Sequence, residues 1–413
     1  MNPREFVRRY QYDNRLITGR FYPEDPLTLE AGDRVGVVLL NLGGPATVQD
    51  VEPFLYNLFM DPAIIDLPVG GTLRHFLARL IARMRARKVA RDYEQIGGGS
   101  PINLLTRQQA DSLERQLNTR YAEAYGVQFR VFIAMRYWHP LSEEAAHEMQ
   151  EAGINKVVLL PLYPQYSKTT SGASLLYWWT LEQAGEIPSW PTTYVFEYAT
   201  YPKYVQAISE RIDEALQRFP REVRQQVHIV FSAHGTPVRE MAERGDPYCG
   251  LVNATVEKVM QHRGYDRPFH VSFQSKVGPA EWLAPSTIDK LQALAKADVK
   301  AVLMVPVAFV SDHIETAFEL DIEVREEAKH FGIRHYEVTS GLNCHPLFIE
   351  ALADVTRSKL VFAGERLEDR PIQYLVSAEE RVRQCQQCRC IADQEVWKVQ
   401  QPELVRIRTG QKK

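Results

Sequence analysis

The 413-residue chain has almost no net charge, no long apolar run and few cysteines, and each shortage removes a class of function. A formal charge of −3 creates no field for a phosphate backbone, and no interleaved basic and aromatic surface of the RNA-binding kind is present. Nucleic acid is therefore excluded as a partner. No run reaches the roughly 18 apolar residues of a spanning helix, and no N-terminal apolar stretch resembles a signal peptide. The expectation is a cytoplasmic protein, with attachment to the inner face of the membrane left open. Five cysteines in such a length do not make a disulfide framework. Three of them crowd into Cys385-Gln386-Gln387-Cys388-Arg389-Cys390, a spacing that closes around a metal or cluster.

What is present is ample apolar material. At 45% hydrophobic, the chain can bury a large core, and its length favours about two domains. Short apolar runs recur: 35–40, 130–135 and 156–160 in the first half, then 228–232, 269–273 and 300–305 in the second. Helical stretches such as 202–219 and 285–297 separate them. Strands alternating with helices imply parallel sheets flanked by helices, an α/β protein of two similar lobes. The division reads as an arm over 1–33, lobes over 34–200 and 201–360, and a cysteine-bearing extension over 361–413. Oligomeric state is not legible, a homodimer being one compatible assembly.

Leu73 to Arg91 reads as a basic amphipathic helix, with apolar residues at 73, 76, 77, 80, 81 and 84 and Arg74, Arg79, Arg83, Arg85, Arg87, Lys88 and Arg91 between them. Such a helix either docks on its own lobe or forms a lip resting on an anionic membrane.

Two segments carry chemistry. In Phe231-Ser232-Ala233-His234-Gly235-Thr236-Pro237, His234 stands at the carboxyl end of a buried strand, where open α/β sheets place ligands. A tight turn follows, and an imidazole of reference pKa about 6.5 suits proton exchange near neutrality. In Ser311-Asp312-His313-Ile314-Glu315-Thr316-Ala317-Phe318-Glu319, a strand leads into a helix that carries Glu315 and Glu319 on one face. Glu323, Glu326 and Glu327 continue the acidity, so a solvated helix face is the plainer reading. Asp312 and His313 at the helix entrance favour a path for cations and protons.

These residues resemble a known family. The strings VVLLNLGGP (37–45), FLYNLFMDPAIIDLP (54–68), IGGGSPI (96–102), MRYWHPL (135–141), PLYPQYS (161–167), FSAHGTP (231–237), GDPY (245–248), QSKVGPAEWLAP (274–285) and SDHIETAFELDIE (311–323) occur in the order seen in ferrochelatases. The resemblance implies two Rossmann-like, chelatase-type lobes with a cleft between them, and insertion of ferrous iron into protoporphyrin IX. It implies His234 and Glu315 as the catalytic pair and as ligands of the substrate iron, with Asp312, His313 and Glu319 on the acidic path. Arg136, Tyr137, Tyr163, Ser275, Trp282 and Ile65 would line the porphyrin pocket, with Arg85 and Ser100 near the propionates. Leu42 stands where coproporphyrin-specific members carry tyrosine, which favours protoporphyrin; Ile65 stands where the mitochondrial branch carries methionine.

By the same resemblance, Cys385, Cys388 and Cys390 would hold a [2Fe–2S] cluster. The fourth ligand of the animal enzymes corresponds here to Lys168, which leaves Cys344 as the candidate and Cys249 as its replacement. A structural zinc suits four thiolates equally well. Three other readings remain open at this point: a coproporphyrin ferrochelatase, a chelatase for another metal, and a porphyrin carrier without chemistry. The carrier would need neither His234 nor Glu315.

Overall fold

A computed structural model of the chain describes residues 1–65, 70–275 and 280–365. Ten strands follow in chain order: β1 Leu27–Leu29, β2 Arg34–Asn41, β3 Gln128–Met135, β4 Lys156–Pro161, β5 Thr192–Tyr194, β6 His228–His234, β7 Phe269–Gln274, β8 Ala301–Pro306, β9 His335–Val338 and β10 Leu360–Phe362. The described residues form two compact units, 1–198 with 348–365, and 199–347.

Each unit holds a four-stranded parallel sheet, ordered β3-β2-β4-β5 in the first and β7-β6-β8-β9 in the second. The order is the same in both: the strand that comes first in sequence lies inside, between the second and the third. Strands covered by helices on both faces must be apolar throughout rather than alternating. Val35, Val37, Val38 and Leu39 of β2, and Ile229, Val230, Phe231 and Ala233 of β6, are accordingly 0% exposed. Burying each larger side chain contributes roughly 1.5–3 kcal/mol. In the second unit, Leu291 and Leu294 of the helix Thr287–Lys296 pack with Leu320, Val324 and Ala328 against Val230, Val302 and Met304. The direction of strand order reverses beside β6, and that reversal opens a crevice at the carboxyl ends of β6 and β8.

The six longer strands match the apolar runs of the sequence to within two residues at most ends. The 1–33 segment is not without structure: it forms the helices Pro3–Arg9 and Arg15–Thr18 and strand β1. β1 pairs in parallel with β10, Leu27 facing Leu360, so the chain returns to the first unit at Phe348.

The basic helix extends over Gly71–Glu94, and its apolar stripe faces outward. Leu73, Phe76, Leu80 and Met84 are 52%, 65%, 55% and 71% exposed, whereas the face turned inward carries Ala78 and Ala82. Arg74 belongs to that inner face, with its Nη2 donating to the Ile65 carbonyl at 2.8 Å. Among the described residues, no helix is long and apolar enough to cross a membrane.

Candidate active site

The second unit gathers its titratable groups at the carboxyl ends of β6, β7 and β8. β6 ends at His234, and the turn after it requires glycine. A Cβ at Gly235 would lie 2.7 Å from the Gln274 carbonyl oxygen and 3.2 Å from the Trp282 indole, while the Gly235 amide donates to that same carbonyl at 2.8 Å. The imidazole is therefore anchored by close approach of two backbones. A second anchor comes from Tyr248, whose hydroxyl donates to the His234 carbonyl at 2.9 Å. Asp246 sets that tyrosine by accepting from the Tyr248 amide at 3.1 Å.

Opposite His234, β8 leads through Phe309 into Glu315–Glu323, which is a π-helix rather than an α-helix. The Val324 amide, for example, donates to the Glu319 carbonyl. Such stretches are uncommon and concentrate at functional sites. Glu315 Oε2 meets His234 Nδ1 at 3.1 Å and accepts from Gln274 Nε2 at 2.9 Å. His313 Nε2 lies 3.9 Å from the same oxygen. Because His313 Nδ1 bonds the Ser311 carbonyl at 3.1 Å, the proton sits on Nδ1. Nε2 is left as a buried lone pair with no hydrogen-bond partner. One turn on, Glu319 accepts from the Ser275 amide at 3.2 Å and hydroxyl at 2.8 Å. Ser275 has φ of 66°, a left-handed conformation uncommon outside glycine, in which both of its donors converge on the one carboxylate.

The charges follow from this geometry. Burial pulls the His234 pKa down, but the charge and hydrogen bond of Glu315 and the charge of Glu319 outweigh it, so the net direction is upward. Burial raises Glu315, yet the charge and hydrogen bond of His234, with help from His313 and Gln274, bring it down to about 2. Glu319 goes the other way, to about 7, through burial and then the Glu315 charge, against the Ser275 hydrogen bond. His313 is lowered, chiefly by burial. One site thus holds an ionised carboxylate, a carboxyl group poised near neutrality and two imidazoles pushed apart in basicity, a separation typical of acid–base centres.

Asp312 has a different place from the other acidic residues. Its Oδ1 accepts from the Gly341 amide at 2.9 Å and Thr316 Oγ1 at 3.2 Å, and its Oδ2 from Asn343 Nδ2 at 2.7 Å. The carboxylate is occupied in tying the loop at 341–343 to the start of the π-helix.

The first unit holds the remaining anticipated residues. Arg136 at the end of β3 pairs with Asp61 at 2.7 Å, and the Tyr137 hydroxyl donates to the same carboxylate oxygen at 2.7 Å. The guanidinium also stacks on Tyr177, 3.9 Å from its ring centre, and retains a buried Nε–H without a hydrogen-bond partner. Tyr163 is buried. Ser100 presses on Gly44, where a Cβ would come 2.6 Å from its hydroxyl, and its amide donates to the Pro45 carbonyl. Ile65 is half-buried, and Arg85 is exposed with its guanidinium 5.8 Å from the Phe59 ring centre.

Cys344 is half-buried and Cys249 buried, neither in a disulfide. Cys385, Cys388 and Cys390 lie outside the described residues. Among the described residues, no group of three or more His, Cys, Asp or Glu side chains stands ready to hold a metal ion.

Four residues that organise this chemistry had no role in the sequence reading: Gln274, Tyr248, Ser232 and Asp61. All four fall inside the motifs quoted above, but which side chain each one meets depends on strand pairing and turn geometry.

Fold and site together define an α/β protein with a buried cluster of imidazoles and carboxylates, suited to acid–base chemistry, at the mouth of a parallel sheet. Comparison with known proteins narrows this class. The sequence profile described as Ferrochelatase matches residues 34–360. A ferrochelatase of Synechococcus elongatus is 44% identical over 337 residues, covering 81% of this chain and 85% of its own. A ferrochelatase of Trichodesmium erythraeum is 44% identical over 79% of this chain and 83% of its own, and one of Gloeobacter violaceus 43% over 79% and 98%. The chain belongs to the ferrochelatase family.

Proposed function

We propose that His234 and Glu315 act as one unit in inserting ferrous iron into protoporphyrin, the terminal step of haem biosynthesis. The observation that carries this reading is the 3.1 Å contact between the imidazole at the carboxyl end of β6 and the ionised Glu315 carboxylate on the π-helix after β8. A planar porphyrin carries two pyrrole N–H protons and shields its nitrogens, so metal enters only when the ring bends and the protons leave. His234 in its neutral form takes a proton, and Glu315 stabilises the imidazolium that results. Glu319, poised near neutrality, passes protons onward, and His313 offers a second lone pair. The same imidazole and carboxylate suit ferrous iron as transient ligands that replace its water. Tyr163, Ile65, Arg136, Tyr137, Ser100 and Arg85 of the first unit are assigned to the porphyrin on the family resemblance alone; ring bending draws on binding energy from Trp282, with a polar contact from Ser275. Trp282 supports this assignment by its contact beside Gly235 and by a buried indole N–H without a hydrogen-bond partner.

The test is anaerobic product formation from protoporphyrin and from coproporphyrin, each with ferrous, cobaltous and zinc ions. Protohaem is the expected preferred product; a preference for coproporphyrin would overturn the substrate assignment.

Cys344, Cys385, Cys388 and Cys390 are proposed to hold a [2Fe–2S] cluster. Cys344 suits the fourth place better than Cys249, which is 2% exposed in the helix Tyr248–His262 and receives a hydrogen bond from Asn253 Nδ2 at 3.6 Å. A cluster would supply a redox-active or structural group. Freshly isolated protein is expected to show sulfide-to-iron charge-transfer absorption that is lost in Cys344→Ser; a colourless protein with stoichiometric zinc would replace the cluster by the Cys₄ zinc alternative.

The outward stripe of Leu73, Phe76, Leu80 and Met84, flanked by exposed Arg79, Arg83, Arg85 and Arg87, is proposed to rest on an anionic membrane surface. In liposome flotation the protein is expected to rise with vesicles containing anionic lipid, and Phe76→Glu to stay behind. Equal behaviour of the two proteins would rule this out.

A further inference from the structure

We propose that Ser232 and Gln274 are positioning residues that aim the Glu315 carboxylate at His234, with the Ser232 hydroxyl holding the far end of the Gln274 amide in place. This rests on the proposed role of the His234–Glu315 pair. Gln274 ends β7, directly paired with His234 of β6, and is 5% exposed. Its Nε2 donates to Glu315 Oε2 at 2.9 Å, and its Oε1 accepts from Ser232 Oγ at 2.7 Å. A side-chain amide has one accepting and one donating end, so the partner at one end dictates what the other presents. Turned about, the amide would set its oxygen 2.9 Å from a carboxylate oxygen, two acceptors facing each other across a buried contact.

The carboxylate, which can only accept, thus sets the sense of the amide, and Ser232 holds the other end by donating to Oε1, which leaves its lone pairs for neighbouring hydroxyls. Thr287 Oγ1 lies 3.2 Å away, and Ser272 Oγ lies 3.1 Å beyond it. Ser232, Thr287 and Ser272 are 2%, 3% and 0% exposed, so water does not compete for these bonds. Three hydroxyls beneath the sheet mouth therefore hold one amide in place, and the amide holds one carboxylate. A buried network of this kind rigidifies what it touches when every member is satisfied.

Because Glu315 acts after porphyrin has bound, loss of its aim lowers turnover and leaves porphyrin affinity alone. The test uses the full-length enzyme, with ferrous iron and protoporphyrin under anaerobic conditions and porphyrin affinity read by fluorescence quenching. Ser232→Ala is expected to lower kcat about tenfold with KM for protoporphyrin within about twofold. Ser232→Thr, which keeps the hydroxyl, restores kcat to within about threefold of the parent. Gln274→Met, close in size but without hydrogen bonds at either end, is expected to match or exceed the Ser232→Ala loss, and it supplies the test if Ser232→Ala fails to fold. Parent-like kcat in both Ser232→Ala and Gln274→Met would overturn the proposal, as would an equal kcat loss in the alanine and threonine variants, which marks simple packing. His234→Ala run in parallel separates the two levels: full activity there removes the underlying pair, whereas loss there with parent-like Gln274→Met removes only the positioning role.

Discussion

Replacing His234 with alanine is expected to lower kcat for protohaem formation by about 10²–10⁴-fold, the usual contribution of a general base, while porphyrin affinity stays within a few-fold. The size of the effect follows from the surroundings. Among the described groups that meet Glu315, His313 cannot simply take over, because its Nε2 lies 3.9 Å from the carboxylate against 3.1 Å for His234 Nδ1, and burial lowers its basicity. The affinity should survive because the turn around position 235 is held by backbone contacts and by Tyr248 on the His234 carbonyl, none of which involves the imidazole. Steady-state kinetics with porphyrin fluorescence quenching check both halves.

Glu315→Gln is the second large effect, about 10²-fold in kcat, and it changes the pH profile in a defined direction. In the parent, the negative charge of Glu315 raises the His234 pKa against the opposing effect of burial. The proton-accepting neutral imidazole is therefore depleted at and somewhat above the ordinary histidine range, and activity falls on the acid side there. Without the charge, burial prevails and the His234 pKa drops, so the acid limb of kcat/KM moves to lower pH. Glu319 responds too, since its rise to about 7 owes its second-largest contribution to the Glu315 charge. An acid limb that stays fixed or moves upward in Glu315→Gln would contradict this electrostatic account. The same shifts bear on stability. A carboxyl group whose pKa is higher folded than unfolded stabilises the fold only while protonated, so the contribution of Glu319 weakens as pH rises from about 4.5 to about 7.

The parts of the fold that the sequence made legible are those written in apolar runs. β2, β3, β4, β6, β7 and β8 are largely buried, and apolar runs such as Val37–Leu40, Val131–Met135 and Ala301–Val305 leave little else for most of them to be. The strands that escaped notice are short: β1, β5 and β10 have three residues and β9 four, and β1 and β10 find each other from opposite ends of the described chain. No local pattern encodes such a pairing. For the site, a strand ending in His-Gly-Thr-Pro and a following pair of glutamates located His234, Glu315 and Glu319 in one place. Spacing alone suggested an ordinary helix, and the π-helical turn and the left-handed Ser275 depend on tertiary packing that propensity does not carry. Periodicity likewise identified the helix Gly71–Glu94 without saying which face turns inward. Ala78 and Ala82 allow close approach to the unit, Arg74 finds backbone carbonyls there, and the larger apolar side chains are left on the outer side. Asp61 becomes recognisable as the buried partner of Arg136 only once the fold brings the two together.

The most direct measurement is a double-mutant cycle in kcat, comparing the parent, His234→Ala, Glu315→Gln and the combined variant under anaerobic conditions with saturating protoporphyrin. If the imidazole and the carboxylate work as one proton-accepting pair, the combined variant is about as slow as His234→Ala alone, because the second loss removes support for a group already gone. Losses that multiply would show two independent groups, and the account of a coupled pair would be wrong.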